Sequence, residues 1–302
     1  MMVLIWGANY SVIKRAFDEI PPQAFNAIRM VIASAVFLVA IRIARRRARR
    51  ASGPLSRVFH SPHPLTTADR WRLLWLGLIG QFVYQICFVG GVAGTSVSNS
   101  ALIIGATPVV VAVVSAIVGR EHIGKLHWLG AAISALGIYL VVGHGTDFGG
   151  AHWRGDVLVM ISVACWAVYS IGAAPLMKRH SPLFVTGRTF MIGCVPYVIF
   201  AGPALMRVDW WHVNPWAWVA VVVSALLALC VAYLIWYMAI QAIGVARTSL
   251  YSNLVPIVAM TVAWAWLGEP MTPLKATGAT AVVTGLFLTR LGRKAGAMPP
   301  EE

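Results

Sequence analysis

Apolar residues run through this chain in blocks of about twenty, broken by short polar or turn-forming stretches. Ala101 to Val118 and Trp216 to Ala239 are two such blocks. That length matches a hydrocarbon core of ~30 Å at ~1.5 Å of helix rise per residue. The breaks carry turn chemistry: Pro21-Pro22, Gly94-Thr95, Gly119, Gly143 to Gly150, Ser181-Pro182, Asn214-Pro215, Pro270 and Pro273. The pattern predicts ten helices, over residues 1–17, 23–43, 71–93, 97–118, 126–143, 155–176, 183–205, 216–240, 246–267 and 274–291. The alternating strands of about ten residues that a transmembrane barrel needs are not visible. The expected class is therefore an all-α polytopic membrane protein.

The second half repeats the first. Pro108, Glu121, Gly130 and Gly137 recur 148 residues later as Pro256, Glu269, Gly278 and Gly285. Trp6 and Pro22 recur 160 residues later as Trp166 and Pro182. The offset falls by 12 because the first copy carries an extra basic stretch between Ile43 and Arg72. We divide the chain into a first five-helix repeat, 1–145, with a basic loop at 44–70, a second repeat, 146–294, and a polar tail, 295–302.

Charge sets the orientation. With the amino terminus in the cytoplasm, 17 Lys and Arg fall on the cytoplasmic side, nine of them between Arg42 and Arg72, against five outside: Lys14, Arg15, Arg154, Arg207 and Lys275. Arg29 and Arg188 fall within helices. This bias places both termini inside. Five helices per repeat is an odd number, so the second copy should be inverted relative to the first, a transporter-like arrangement with a site at the repeat interface.

Composition agrees. The chain has 302 residues, 59% hydrophobic and 11% charged, with mean hydropathy +0.76. Soluble domains carry about 25% charged residues, so this chain has too little polar surface to cover a water-facing globule. The net charge of +14 raises nucleic acid as a partner. The charge is concentrated after an apolar helix, at Arg42, Arg45, Arg46, Arg47, Arg49 and Arg50, with no recognition motif beside it. That placement fits topology and attraction to anionic lipid headgroups instead. The four cysteines lie singly in apolar segments, without metal or redox spacing. No metal and no cofactor is expected. The start lacks the basic region and small-residue cleavage site of a signal peptide. Met1 to Ile13 alone is short for a span, which leaves open a start upstream.

Several helices concentrate polar and aromatic residues at i, i+3, i+4, i+7 spacing. The stripes are Trp6, Asn9, Tyr10; Gln81, Tyr84, Gln85, Phe88; Ser96, Asn99, Ser100, Ile103, Thr107; Ser162, Cys165, Trp166, Tyr169; Tyr233, Trp236, Tyr237; and Ser249, Ser252, Asn253, Pro256. Amides avoid lipid, so these faces should turn inward. An aromatic-walled cavity with orienting amides fits the set; polar helix–helix packing also fits any one stripe. Pro108 and Pro256 are expected mid-helix, as a gate, a solute contact or only a bend. Glu121 and Glu269 are expected to cap the helix that follows each. Arg29 and Arg188 lie about one turn into helices 2 and 7, where they would snorkel or draw anions to each mouth.

Taken in order, Trp6-Gly7-Ala8-Asn9, Ser98-Asn99-Ser100-Ala101-Leu102 with Pro108, Ser249-Leu250-Tyr251-Ser252-Asn253-Leu254-Val255-Pro256, Leu267-Gly268-Glu269-Pro270 and Gly278 to Gly285 resemble the drug/metabolite transporter (DMT) superfamily, EamA-type family. The resemblance covers nearly the whole chain. It implies ten helices in two five-helix halves and a bacterial inner-membrane permease, often an exporter of amino acids or other small metabolites. It also implies a cavity lined mainly by helices 1, 3, 4, 6, 8 and 9. Gly119-Arg120-Glu121 departs from the plainer Gly-Glu of the family, and the amino terminus is short.

The expected function is a secondary transporter, not an enzyme, moving a small-molecule solute by alternating access. Trp6, Asn9, Tyr84, Gln85, Asn99, Trp166, Tyr169, Trp236, Tyr237 and Asn253 are the candidate solute contacts. Two rivals stand beside it. An integral-membrane enzyme on a lipid-linked substrate would use Glu121, His122 or His127; a receptor or scaffold would show no flux. A homodimer stays open.

Overall fold

The computed structural model describes residues 1–47, 61, 63–107, 109–111, 114, 129–130, 132–134, 136–137, 152–249, 251 and 254–295. Their regular structure is helical throughout. α1 is Met2–Ala16, α2 Pro22–Arg47, α3 Thr67–Gly94 and α4 Val97–Gly105. α5 is Trp153–Met177, α6 Pro182–Met206, α7 Pro215–Val245, α8 Val255–Leu267 and α9 Pro273–Ala295. α2, α3, α5, α6 and α7 are long and apolar enough to cross a membrane, with mean hydropathy of 1.7 to 2.6 over their best windows. Residues 129–130, 132–134 and 136–137 are helical within the expected fifth helix. Pro108, Glu121, His122, His127, Asn253 and the basic loop over 48–60 lie outside the described residues.

The helices start where the sequence offers capping groups. The Thr66 hydroxyl accepts from the Asp69 amide at 3.2 Å, and the Asp69 carboxylate accepts from the Thr66 amide at 3.1 Å. This reciprocal pair satisfies two donors that a first turn leaves open. It starts α3 at Thr67, four residues before the expected 71. Ser96, Ser181 and Asn214 cap α4, α6 and α7, the last two with Pro182 and Pro215 in the first turn. Gly244, at φ 82°, interrupts the helical backbone at the end of α7, a conformation that costs glycine little.

Two expectations are corrected. Pro256 does not kink a helix interior. It sits in the first turn of α8, which begins at Val255. There an amide has no intrahelical acceptor, so proline loses nothing. Glu269 does not cap the helix that follows it. Its two oxygens accept from the Val97 amide at 2.7 Å, the Ser98 amide at 3.1 Å and the Ser98 hydroxyl at 2.6 Å. It caps α4, in the other half of the chain, with Lys275 Nζ 3.9 Å away.

The same end of the bundle is tied down further. Lys14 Nζ donates to the carbonyls of Val92, Ala93 and Thr95 at 2.7 to 2.9 Å, closing the carboxyl end of α3. The Thr95 hydroxyl donates to Asp156 at 2.7 Å. At the opposite end, Asp69 lies 3.3 Å from His180 and 3.5 Å from Arg179.

Glycines set the helix spacing. A Cβ at Gly193 on α6 would lie 2.7 Å from the Gly77 carbonyl oxygen on α3. One at Gly155 on α5 would lie 2.7 Å from the Gly94 oxygen. Small residues allow this backbone approach between helices in lipid, where packing rather than water exclusion drives association. A Cβ at Gly137 would lie 2.8 Å from the Gly278 oxygen, one at Gly285 would meet the Gly130 oxygen, and Ser134 Oγ donates to the Val282 carbonyl at 3.3 Å.

Outward faces are apolar. Val195, Ile199 and Phe200 on α6 and Val219, Val222 and Leu227 on α7 are all exposed. Trp71 and Trp75 stand exposed near the start of α3, and Trp211, Trp216 and Trp218 beside the start of α7. Exposed apolar helix faces with tryptophans near their ends are what a bilayer selects.

Replacing Glu269 by Gln should lower the melting temperature of the detergent-purified protein, by roughly 1.5–3 kcal/mol of stability for a charged hydrogen-bonding group. An unchanged melting curve would remove Glu269 from the support of α4. Gly193→Ala should cost about 1–3 kcal/mol by overpacking against α3, read in the same assay.

Candidate functional site

A cavity opens at the centre of the described bundle. Trp6, Asn9 and Tyr10 line it from α1, Arg29 from α2, and Tyr84, Gln85 and Phe88 from α3. Ile104 contributes from α4, with Thr107 just beyond it; Ser162, Val163 and Trp166 from α5; Ala228, Leu229 and Tyr233 from α7; and Val255 from α8. Its volume is about 60 Å³. One water needs ~10–15 Å³ on this measure, so it holds roughly four. A larger solute enters only if rings turn or helices separate.

The wall is a packed set of rings. Trp6 and Trp166 meet edge to face with centroids 5.7 Å apart, and both contact Tyr233, at 5.9 and 5.2 Å. Tyr84 lies 5.3 Å from Trp166 and stacks on Phe88 at 5.6 Å. Such pairs contribute about 0.5–1.5 kcal/mol each beyond burial, which holds the wall in one arrangement. The backbone assists. Residues 224–231 of α7 are π-wound, and the Ala228 carbonyl there accepts from Trp6 Nε1 at 3.1 Å. A second π-wound stretch, Leu78–Val83, lies one turn before Gln85 on α3. Widened turns of this kind recur at functional sites.

Residues from matched places in the two repeats meet here. Trp6 and Trp166 are 160 apart in sequence, and Gln85 and Tyr233 are 148 apart. Gln85 Nε2 lies 3.5 Å from the Tyr233 hydroxyl, a long and weak contact, while Gln85 Oε1 is buried with no partner. Asn9 accepts a short hydrogen bond from the Ser224 hydroxyl.

Arg29 departs most from the sequence expectation. It is neither at a mouth nor snorkelling; its side chain is 1% exposed and lines the cavity. Its guanidinium lies 5.6 Å over the Phe25 ring. Nε and Nη1 make no hydrogen bond. None of the ion pairs among the described residues includes it. An isolated buried ion costs several kcal/mol, and one cation–π contact offsets about 0.5–2 of that. Arg188 lies half-buried on α6 over Phe184, at 5.4 Å, outside the cavity lining.

Of the ten candidate contacts, Trp6, Asn9, Tyr84, Gln85 and Trp166 line the cavity. Tyr169, Trp236 and Tyr237 form a layer behind it. Trp236 lies 5.6 Å from both Trp6 and Trp166, Tyr169 lies 5.4 Å from Tyr237, and the Tyr169 hydroxyl pairs with Thr189 at 2.6 Å. Asn99 sits in the first turn of α4, near Asp156 and away from the cavity lining. Tyr233 and Phe88 were visible within the stripes. Arg29 carried no such signal, because a lone arginine near a helix start looks the same whether it points out or in. Among the described residues no three His, Cys, Asp or Glu gather as metal ligands.

Comparison with known proteins gives the geometry its context. The model of the EamA-like transporter family matches residues 1–143 and again 153–291. The uncharacterized transporter YyaM of Bacillus subtilis is 30% identical over 219 residues, 70% of each chain. The probable terminal-alkyne amino-acid exporter of Streptantibioticus cattleyicolor is 24% identical over 310 residues, 99% of this chain and 95% of that one. One solved crystal structure shares the fold, with TM-score 0.69 and 18% identity over 98% of this chain and 96% of its own. The relatives are transporters, not enzymes, which sets aside the reading built on Glu121, His122 and His127. With apolar helices that cross a membrane several times and two family matches spanning its length, this chain belongs to the EamA-like transporter family.

Proposed function

We propose that the chain is a secondary carrier that exports a small metabolite, an amino acid or a related compound, across the inner membrane by alternating access. It would do so with two inverted five-helix repeats, 1–145 and 146–294, and with both termini cytoplasmic. The observation that carries this reading is the composition of the cavity wall. Trp6 meets Trp166, and Gln85 meets Tyr233, so each half contributes its matched position to one centre. A site on a pseudo-twofold axis can open to either side by the same rocking motion.

The glycine contacts support the inversion. Gly130 and Gly137 have the counterparts Gly278 and Gly285. The contacts are crossed: Gly137 faces Gly278, and Gly130 faces Gly285. Helices related by an axis parallel to them would pair each glycine with its own counterpart. Crossed pairing over seven residues, about 10 Å of helix, is the pattern of antiparallel helices and supports an axis perpendicular to them. Ten helices follow if residues 126–143 cross once and α8 crosses together with the stretch before it.

Trp6, Asn9, Tyr84, Gln85 and Trp166 would touch the solute directly. Tyr169, Trp236 and Tyr237 would hold the rings in place. Asn99 and Asn253 stay candidates for solute contact, and Pro108 for solute contact or movement. Arg42 to Arg50 would hold anionic headgroups on the cytoplasmic face. Export, and an amino acid as cargo, rest on the name of the Streptantibioticus relative and on the family resemblance.

In proteoliposomes, Trp166→Ala should lower solute counterflow about tenfold, the loss of roughly 1.4 kcal/mol of ring contact. Equal flux in a well-folded variant would remove Trp166 from the site, and absence of flux from the unmodified protein for every metabolite tried would favour a receptor. A cysteine at Asp209 should react with a membrane-impermeant maleimide in intact cells, and one at Lys178 only after permeabilisation. The reverse pattern would overturn the orientation.

A further inference from the structure

Arg29 is a buried cation on α2, and no anion among the described residues matches it. It lines the central cavity, and Nε and Nη1 have no hydrogen-bond partner. Every ion pair among the described residues lies elsewhere. A buried guanidinium is kept in lipid surroundings when something pairs with it. Around it stand rings and amides: Phe25 beneath the guanidinium, Trp166 and Tyr233 in the cavity lining, and Gln85 with an unused Oε1. One turn earlier on the same helix, Asn26 is buried beside the Tyr197 hydroxyl.

Resting on the carrier reading above, we infer that Arg29 is the anchor for a carboxylate on the cargo. The cargo is a compact monocarboxylate with an apolar or aromatic body. The planar guanidinium fork matches a carboxylate through two parallel N–H···O bonds. The charge balance favours a single carboxylate: Arg29 is the one charged group among the described residues that line the cavity, and a phosphate dianion would set two negative charges against it. The body of the cargo packs among Trp6, Phe88 and Trp166. A donor on the cargo, a hydroxyl or an ammonium, faces Gln85 Oε1. Asn9 is less available, because it already accepts from Ser224.

The test uses purified full-length protein in detergent, with thermal shift as the readout. Benzoate, 3-phenylpropionate, L-leucine and L-phenylalanine are each compared with the corresponding primary amide, and inorganic phosphate is included. At least one acid should stabilise the protein at tenfold or more lower concentration than its amide, with phosphate ineffective. Arg29→Gln should weaken that acid about a hundredfold, as expected for truncating a buried charge pair, and Arg29→Lys should recover part of it. The inference is overturned if no acid stabilises the protein, if amides or phosphate match the acids, or if the acid's effect survives in Arg29→Gln. Should Arg29→Gln not fold, the contrast of acid with amide on the unmodified protein still decides. Flux in proteoliposomes separates the two claims. Binding that discriminates acid from amide without any flux sinks the carrier and keeps the anchor. Flux without discrimination sinks the anchor and keeps the carrier.

Discussion

A bilayer offers no hydrogen-bond partner at depth, and this molecule is organised by that lack. Each unmatched backbone or side-chain group there costs several kcal/mol, so every one must be answered from within the protein. Lys14 answers three carbonyls at the end of α3, and Glu269 answers the first donors of α4. These two side chains come from opposite ends of the sequence and meet at one tight turn, 94–97. They let a helical hairpin reverse direction close to the membrane without exposing its backbone.

The same constraint explains the interior. Polar side chains cannot face lipid, so the amides and hydroxyls of the helix stripes turn toward one another and toward the cavity. Glycines at Gly77, Gly94, Gly155 and Gly193 bring α3, α5 and α6 into backbone contact. That approach seats Tyr169 over Gly80 and holds Trp166 against Trp6. The aromatic wall is thus a consequence of close helix packing, and π-wound turns in α3 and α7 aim its members inward.

Arg29 stands apart as a fully buried charge that no anion among the described residues answers. It is also the residue that brings α2 into a cavity expected from helices 1, 3, 4, 6, 8 and 9. A carrier that leaves one strong partner unmet until its cargo arrives gains selectivity from desolvation. A solute without the matching group leaves that charge buried and unpaired, and the penalty falls on binding.

Much of the architecture was legible along the chain. The apolar blocks located α2, α3, α5, α6 and α7 to within a few residues, because hydropathy is a local property and lipid permits little else than helix. Gly94-Thr95, Ser181-Pro182 and Asn214-Pro215 marked the breaks before α4, α6 and α7, since turn chemistry acts over a few neighbouring residues. The stripes named Trp6, Tyr84, Gln85 and Trp166 before any contact was known, because period alone sorts residues onto a face. Tertiary structure decided the rest. Glu269 caps α4 across 171 and 172 residues of sequence, a pairing that no local pattern holds. Pro256 stands in the first turn of α8, which begins at Val255, rather than bending a helix. Tyr169, Trp236 and Tyr237 stand behind the wall, and Arg29 stands in it, because helix rotation and depth fix those places. Both are set by the packing of neighbouring helices, and a sequence read one helix at a time does not contain them.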